Sequence, residues 1–202
     1  MRNLFLKIFV AVFLLSCATT IENSKAEEMF ESEELVQVFN VHSSPVLGSY
    51  WSEYPSIRIC EGSGITKTRI SQITSFWIRM GYEFGGVFFD PGSEMCEIEG
   101  VTGQLTFMIA RSDTPIGNNL ALTRTWYNKN TGQITKAQVY VLGGFINKVY
   151  LLEHEMGHAL GWDHFNRKYH IMNQYYDFIG SDSYGLNTRS YIRETDRIMN
   201  SR

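Results

Sequence analysis

The chain has 202 residues, of which 44% are hydrophobic and 19% are charged, and its formal net charge is −3. This composition predicts a globular protein with one substantial core, and the mildly acidic charge argues against nucleic acid or an anionic membrane surface as the main partner. The sequence contains no internal repeat and no low-complexity stretch, so a single folded domain is the simplest prediction.

Residues 1–16 predict a targeting segment. Two basic residues provide its positive start, and residues 8–15 form an apolar run too short to span a bilayer as a stable helix. The run ends in L-L-S-C at residues 14–17, which resembles the bacterial lipobox. In such signals the peptide is removed before the cysteine, so the resemblance implies a lipoprotein signal peptide and a lipidated Cys17.

An ordinary secretory signal, cut near Ala18 or Ala26, is the alternative to lipidation. Both interpretations place the mature protein outside the cytoplasm. Under the lipoprotein interpretation the protein is anchored to a bacterial membrane, and Ala18 after the cysteine resembles outer-membrane sorting if the host has two membranes. Removal of residues 1–16 moves the formal net charge from −3 to −5. Residues 17–45 comprise the lipidated cysteine and a polar, acidic tether.

Residues 46–202 are predicted to form the folded domain, whose strands and helices follow from hydrophobic periodicity. The first helix has Ile70, Ile73 and Trp77 at helical spacing. The turn-rich residues 128–132 separate two β-like stretches, which is typical of a hairpin. In chain order the predicted elements are strand 54–60, helix 66–82, strands 86–90, 104–111, 120–127 and 133–142, and helices 147–160 and 188–199.

Three of the chain's five histidines fall in one short stretch, in the pattern H-E-x-x-H-x-x-G-x-x-H. Residues four apart on a helix share a face, so His154 and His158 can bind one zinc ion, and Glu155 can act as general base on water held there. Gly161 tolerates the left-handed conformation that ends a helix, so the chain can turn and bring His164 to the metal. Three histidine ligands leave the fourth position open, which is typical of a catalytic zinc site.

An amphipathic core helix that carries histidines by chance is the alternative interpretation of this stretch. An apolar face made by Val149, Leu152, Met156, Ala159 and Leu160 explains the helix without any zinc. Chance explains the histidines poorly, because three of them occupy the three positions that a zinc site requires. The zinc site is therefore the favoured interpretation.

The motif resembles the zinc-binding signature of the metzincin metallopeptidases. Members of that clan carry a Met-turn under the three histidines, and Met172, eight residues past His164, is its counterpart here. An ordinary core methionine is the alternative. The short gap resembles the matrixin (matrix-metalloproteinase-like) branch. The resemblance implies an α+β domain with a twisted, mostly parallel sheet, an antiparallel edge strand, two long helices including the zinc helix, and a C-terminal helix.

The same resemblance implies how a peptide would bind. Residues 117–123 resemble the edge strand on which matrixins lay their substrate antiparallel, and Leu120, Ala121 and Leu122 are the contacts predicted on it. An unpaired edge offers backbone N–H and C=O groups to any extended peptide, which supports this interpretation. A plain loop leading into the hairpin is an equally weighted alternative.

The substrate pocket departs from the matrixin pattern. Tyr175 and Tyr176 are expected to line the pocket for the side chain that follows the cut. Phe165 and Gln174 stand where matrixins usually carry Ser and Pro, so the depth of this pocket is not predicted.

The remaining histidines and cysteines bear on a second metal site and on a disulfide. Outside the zinc motif only His42 and His170 remain, so a second, structural zinc is not expected, and each is interpreted as a surface or locally bonded histidine. Calcium is an open cofactor without support from any motif. Once Cys17 is assigned to lipid, Cys60 and Cys96 remain, and an oxidising compartment favours a disulfide between them over two buried free thiols.

The sequence thus predicts a zinc-dependent endopeptidase that acts on extracytoplasmic proteins through Glu155 and one catalytic zinc ion. A non-catalytic, zinc-stabilised surface binding module is the alternative, although a purely structural site needs no general base. The expected partners are a peptide or protein substrate and a membrane reached through the lipid anchor. Nucleic acid is not expected as a partner, and a monomer is expected.

Overall fold

A computed structural model of the protein describes residues 43–90, 96 and 100–202. The predicted signal peptide, the lipidation site Cys17 and most of the predicted tether lie outside these residues. Within the described part of the chain no helix is both long enough and apolar enough to cross a membrane.

The described residues contain a strand or helix at each of the predicted places, with ends that differ by a few residues. In chain order the elements are β1 Ser56–Cys60, α1 Lys67–Ile78, β2 Val87–Asp90, β3 Gln104–Ile109, β4 Ala121–Tyr127, β5 Ile134–Val141, α2 Leu151–Ala159 and α3 Thr188–Asn200. Two short 3-10 turns accompany them at Gly143–Phe145 and Tyr176–Phe178.

The strands form one five-stranded sheet in the order β2-β1-β3-β5-β4. β1 pairs in parallel with β2 and β3, and β3 pairs in parallel with β5. β4 runs antiparallel to β5, with Thr123 opposite Val139, and lies at one end of the sheet. The mostly parallel sheet, the hairpin and the antiparallel edge strand are therefore confirmed. The edge strand begins at Ala121, and residues 117–120 form the loop that leads into it.

The core places α2 directly behind the edge strand. This helix packs against β4, β5 and α1. Trp77 of α1, Phe107 of β3, and Leu152 and Met156 of α2 are all fully buried. Each such side chain stabilises the fold by about 1.5–3 kcal/mol when it leaves water. The helix that carries the zinc motif is thus fixed on the side away from the cleft.

Helix α2 is shorter than predicted, and the expectation of two long helices is wrong for it. It has nine residues, whereas α1 has 12 and α3 has 13. Residues 147–150 do not join it, because Tyr150 has a φ of 62°, a left-handed conformation that cannot continue an α-helix.

The loop before α2 also leaves one predicted core residue exposed to solvent. Val149, expected on the apolar face of the helix, is 68% exposed. Its loop is held in another conformation by Arg69, whose guanidinium donates hydrogen bonds to the carbonyls of Ile146 and Lys148. A contact between distant parts of the chain therefore overrides the local helical pattern.

Cys60 at the end of β1 is joined to Cys96 by a disulfide, with the two Cα atoms 5.7 Å apart. The bond connects residues separated by 36 positions, so it closes a loop that contains α1 and β2. The structure thus contains the predicted pairing, in place of two free thiols.

Candidate metal centre

The three histidines of the motif meet at one point. His154 and His158 lie one turn apart on α2, with their Nε2 atoms 3.1 Å apart. His164 lies beyond the end of the helix, and its Nε2 atom is 3.0 Å from that of His158. All three ligand atoms lie within 4.8 Å of one another. The arrangement could therefore hold one metal ion.

A glycine turn brings the third histidine to the other two. Gly161 has a φ of 101°, which a glycine adopts without steric penalty. Its N–H donates to the His158 carbonyl at 2.9 Å, and the Trp162 N–H donates to the Gly157 carbonyl at 3.0 Å. This pair of bonds is the Schellman arrangement that ends many helices. The predicted turn at Gly161 is confirmed.

The chain segment before β1 braces this turn. The Gly48 N–H donates to the Gly161 carbonyl at 2.9 Å, and the Asp163 N–H donates to the Val46 carbonyl at 3.0 Å. A Cβ atom on Gly161 would lie 2.0 Å from the Ser49 carbonyl oxygen, so no larger residue fits. Glycine is needed here for close packing as well as for its φ.

Backbone carbonyls fix the tautomers of two of these histidines. The Nδ1–H of His154 donates to the Ile171 carbonyl at 2.7 Å, and that of His158 donates to the Trp162 carbonyl at 2.8 Å. Because a carbonyl oxygen only accepts, each proton is on Nδ1 and each Nε2 presents a bare lone pair. Burial lowers the pKa of His154 to about 4 and that of His158 well below its usual value. Both rings are therefore neutral at physiological pH.

This donor set fits zinc. Neutral imidazole nitrogens are typical zinc ligands, whereas calcium and magnesium prefer oxygen. With bonds of about 2.1 Å and tetrahedral angles, two nitrogens on one zinc ion lie about 3.4 Å apart, close to the spacings observed here. Bare lone pairs at such short distances repel one another unless a cation lies between them.

Met172 packs directly beneath the helix. It is fully buried, and a Cβ atom on Gly157 would lie 2.3 Å from its Sδ atom. Gly157 therefore lets the methionine approach α2 between the two helical histidines. The residue before it, Ile171, supplies the carbonyl that orients His154. The Met172 segment thus supports the site from below and contributes no metal ligand.

His170 is part of this support. It is fully buried and hydrogen-bonded, so of the two predicted alternatives, a surface or a locally bonded histidine, the second is confirmed. Its Nδ1 accepts a hydrogen bond from the Met172 N–H at 3.1 Å, and its Nε2–H donates to the Tyr184 carbonyl at 3.0 Å. The ring thereby holds the turn that orients His154.

Glu155 is buried beside the three histidines, at 6% exposure. Its Oε2 accepts a hydrogen bond of 2.6 Å from the Thr123 hydroxyl on the edge strand. Burial raises the pKa of the Glu155 carboxyl to about 7, and the bond from Thr123 opposes that rise. A carboxyl in this environment exchanges a proton more readily near neutral pH than an exposed one.

A cleft of about 560 Å³ connects these groups with the predicted substrate contacts. The histidines and Glu155 line it together with the five residues predicted to bind substrate, which are Leu120, Ala121, Leu122, Tyr175 and Tyr176. The sequence-based candidates are thus brought together around one cavity beside β4.

Sequence reasoning missed three features of the site. The Thr123 bond to Glu155 and the bracing by residues 46–48 connect distant parts of the chain and leave no local signal. Gly157 did leave one, because glycine inside a helix is destabilising by about 1 kcal/mol relative to alanine and therefore indicates a close contact.

Comparison with known proteins leaves the chain without a demonstrated family. No protein-family model matches it, and no curated protein sequence matches it. Among solved structures, the crystal structure of metalloproteinase-II from Bacteroides fragilis is similar at a TM-score of 0.44 and 14% identity. The similarity covers 78% of this chain and 57% of that one, so this chain spans little more than half of that structure. A likeness at this level assigns neither fold nor function.

Proposed function

We propose that this protein is a zinc-dependent endopeptidase of the metzincin clan, most similar to its matrixin branch. One observation carries the proposal: three imidazole Nε2 atoms converge beside a buried carboxylate in a cleft bordered by an edge strand. A closed structural site would need a fourth protein ligand, and among the described residues the metal-binding group consists of these three histidines alone.

The ligands and the base divide the chemistry between them. His154, His158 and His164 would hold zinc, which when bound supplies Lewis-acid chemistry by activating water and polarising a peptide carbonyl. Glu155 accepts the proton of the attacking water on a carboxylate oxygen and later delivers it to the nitrogen of the departing amine. The backbone carbonyls on His154 and His158 keep both rings oriented through this cycle.

The edge strand provides the binding surface for an extended peptide. β4 pairs with β5 on one side and ends the sheet on the other, so its outer N–H and C=O groups suit antiparallel pairing with a substrate backbone. Leu120, Ala121 and Leu122 would contact the peptide, and Tyr175 and Tyr176 would line the pocket after the cut. All five line the cleft that contains Glu155.

We further propose that the enzyme works outside the cytoplasm, lipid-anchored through Cys17 and as a monomer. The apolar run and the L-L-S-C sequence at residues 14–17 support the anchor. Metabolic labelling with a fatty acid tests it, because Cys17→Ser should abolish the label. Label that persists in this variant would contradict the proposal.

The function is tested with the full chain, kept soluble in detergent, on a mixed peptide library. Wild type should bind zinc and cleave peptides, whereas Glu155→Gln should bind zinc equally and lose activity by about a hundredfold or more, as general bases do. Zinc analysis on both proteins is the control. Undiminished activity in Glu155→Gln would contradict the assignment.

A different result would favour the alternative function. Zinc in both proteins without cleavage by either would favour a non-catalytic, zinc-stabilised surface binding module. The buried Glu155 argues against that alternative, since zinc held only for stability needs no carboxylate beside it.

A further inference from the structure

The hydroxyl of Thr123 contacts Glu155 but has no role in the mechanism proposed above. It lies 2.6 Å from Glu155 Oε2 and 3.0 Å from the Glu155 backbone carbonyl oxygen. The shorter distance is in the range of a charge-assisted O–H···O⁻ bond, and such bonds are about twice as strong as neutral ones. The hydroxyl proton therefore goes to the carboxylate.

Thr123 is itself held rigidly. It lies within β4, paired with Val139 of β5, and its β-branched side chain has few accessible rotamers. Side chains alternate along a strand, so Thr123 points to the α2 side, while its neighbour Arg124 lies over the Tyr140 ring on the other. Pairing with β5 and a stiff χ1 together fix the position of the hydroxyl oxygen, from which the proton is donated.

Strand β4 is connected both to the candidate base and to the proposed peptide-binding edge. The strand proposed to bind the peptide backbone also holds the carboxylate that moves the proton. A general base must lie within hydrogen-bond reach of the proton that it takes, and small misplacements of catalytic groups reduce rates strongly.

We propose that Thr123 is a positioning residue whose hydroxyl fixes the Glu155 carboxylate relative to a peptide lying on β4. This inference rests on the proposed peptidase function. Thr123 does not touch the reacting atoms; it acts through Glu155.

The test uses three substitutions in the full chain. Thr123→Val keeps the shape and removes the hydroxyl, whereas Thr123→Ser keeps the hydroxyl. Thr106→Val is the matched control, because among the described residues its buried Oγ1 has no hydrogen-bond partner. Thr106 lies on β3, away from the cleft residues.

Kinetics provide the first measurement. Thr123→Val should lower kcat about tenfold at an unchanged KM, as expected for a lost hydrogen bond to a charged group. Thr123→Ser should restore kcat to within about threefold of wild type, and Thr106→Val should equal wild type. An unchanged kcat in Thr123→Val, an equal loss in Thr123→Ser, or a change in KM alone would overturn the proposal.

A spectroscopic measurement on the metal-free protein does not depend on activity. With 13C-labelled glutamate, the side-chain carboxyl resonance that disappears in Glu155→Gln belongs to Glu155. It should shift in Thr123→Val and stay in place in Thr123→Ser. A resonance that does not respond to Thr123→Val would overturn the positioning role.

The two measurements separate this inference from the proposed function. If wild type binds zinc and cleaves no peptide, the peptidase proposal fails, while a shift in Thr123→Val alone still supports the positioning of Glu155. If Thr123→Val does not fold, Thr123→Ala takes its place and is read in the same way.

Discussion

Glu153 and Glu155 lie two residues apart on the same short helix, but the first carboxylate pairs with a charged side chain and the second with a neutral one. Glu153 receives two hydrogen bonds from the Arg69 guanidinium, at 2.6 and 2.7 Å. Glu155 receives one bond from a neutral hydroxyl and lines the cleft. Both are almost completely buried, at 5% and 6% exposure. The two carboxylates therefore do not differ in burial; they differ in the group that donates hydrogen bonds to them.

The difference in partners shows how one helix can both anchor the fold and present a carboxylate to the cleft. The bidentate guanidinium–carboxylate pair of Arg69 and Glu153 ties α1 to α2. Arg69 also binds the loop before α2, and Trp77 donates to the Glu153 carbonyl, so this side is rigid. On the other side a carboxylate bound by a neutral partner remains able to take a proton.

The largest stability effect is expected from separating the anchoring pair. Glu153→Gln leaves the Arg69 charge buried without its partner, which should lower the free energy of unfolding by about 3–5 kcal/mol. Glu155→Gln should leave it nearly unchanged, because no buried charge loses an ionic partner. Urea unfolding of both variants measures the contrast.

Two controls sharpen that contrast. Glu194→Gln breaks ion pairs with the exposed Arg193 and Arg197 and should reduce stability by less than about 1 kcal/mol. Replacing the buried pair with Arg69→Met and Glu153→Leu together should recover only part of the stability, because the Ile146 and Lys148 carbonyls also lose their donor. A Glu153→Gln variant as stable as Glu194→Gln would show that the ion pair is not the anchor.

Metal removal is expected to have the next largest effect. The three converging imidazoles lose the cation that offsets their repulsion, and free zinc at a hundred times its Kd stabilises a protein by about 2.7 kcal/mol. Unfolding midpoints with buffered zinc and with a chelator measure the shift. Glu155→Gln should retain this shift and His158→Ala should lose it. A full shift in His158→Ala would contradict the assignment of the ligands.

A smaller effect is expected beneath the helix. Gly157→Ala places a Cβ atom 2.3 Å from Met172 Sδ, and such overpacking typically destabilises by about 1–3 kcal/mol. Gly144→Ala is the control, because a Cβ there meets nothing within 4 Å. Thermal unfolding and zinc content of both variants are the measurements. Equal stability of the two would show that the methionine adapts without strain.

Much of the site could be predicted because its signals are local. His154 and His158 share one face through helical spacing alone, and Gly161 indicates the turn that brings His164 to them. The hairpin followed from turn residues between two β-like stretches. The Met172 turn and the cleft residues came from resemblance to a family. The predicted cleft residues line one cavity, whereas Met172 is buried beneath α2 against Gly157.

The remaining features depend on contacts between residues far apart in the chain. Periodicity predicted a helix from residue 147, whereas the bonds from Arg69 to the preceding loop and the conformation of Tyr150 start it at Leu151. No local pattern pairs Thr123 with Glu155, because their meeting requires the register of β4 on β5 and the packing of α2 behind both.

The amino-acid order thus specifies the candidate metal ligands and the candidate base, since their spacing along the helix and across the turn that follows it is a short-range property. The folded chain specifies which of two glutamates, two residues apart on α2, is an anchor and which faces the cleft, and which strand holds the candidate base. Those outcomes depend on burial and on partners more than thirty residues away, as in the 32-residue separation of Thr123 and Glu155. Short-range spacing can be read along the chain, whereas long-range pairing exists only once the sheet and helices have packed.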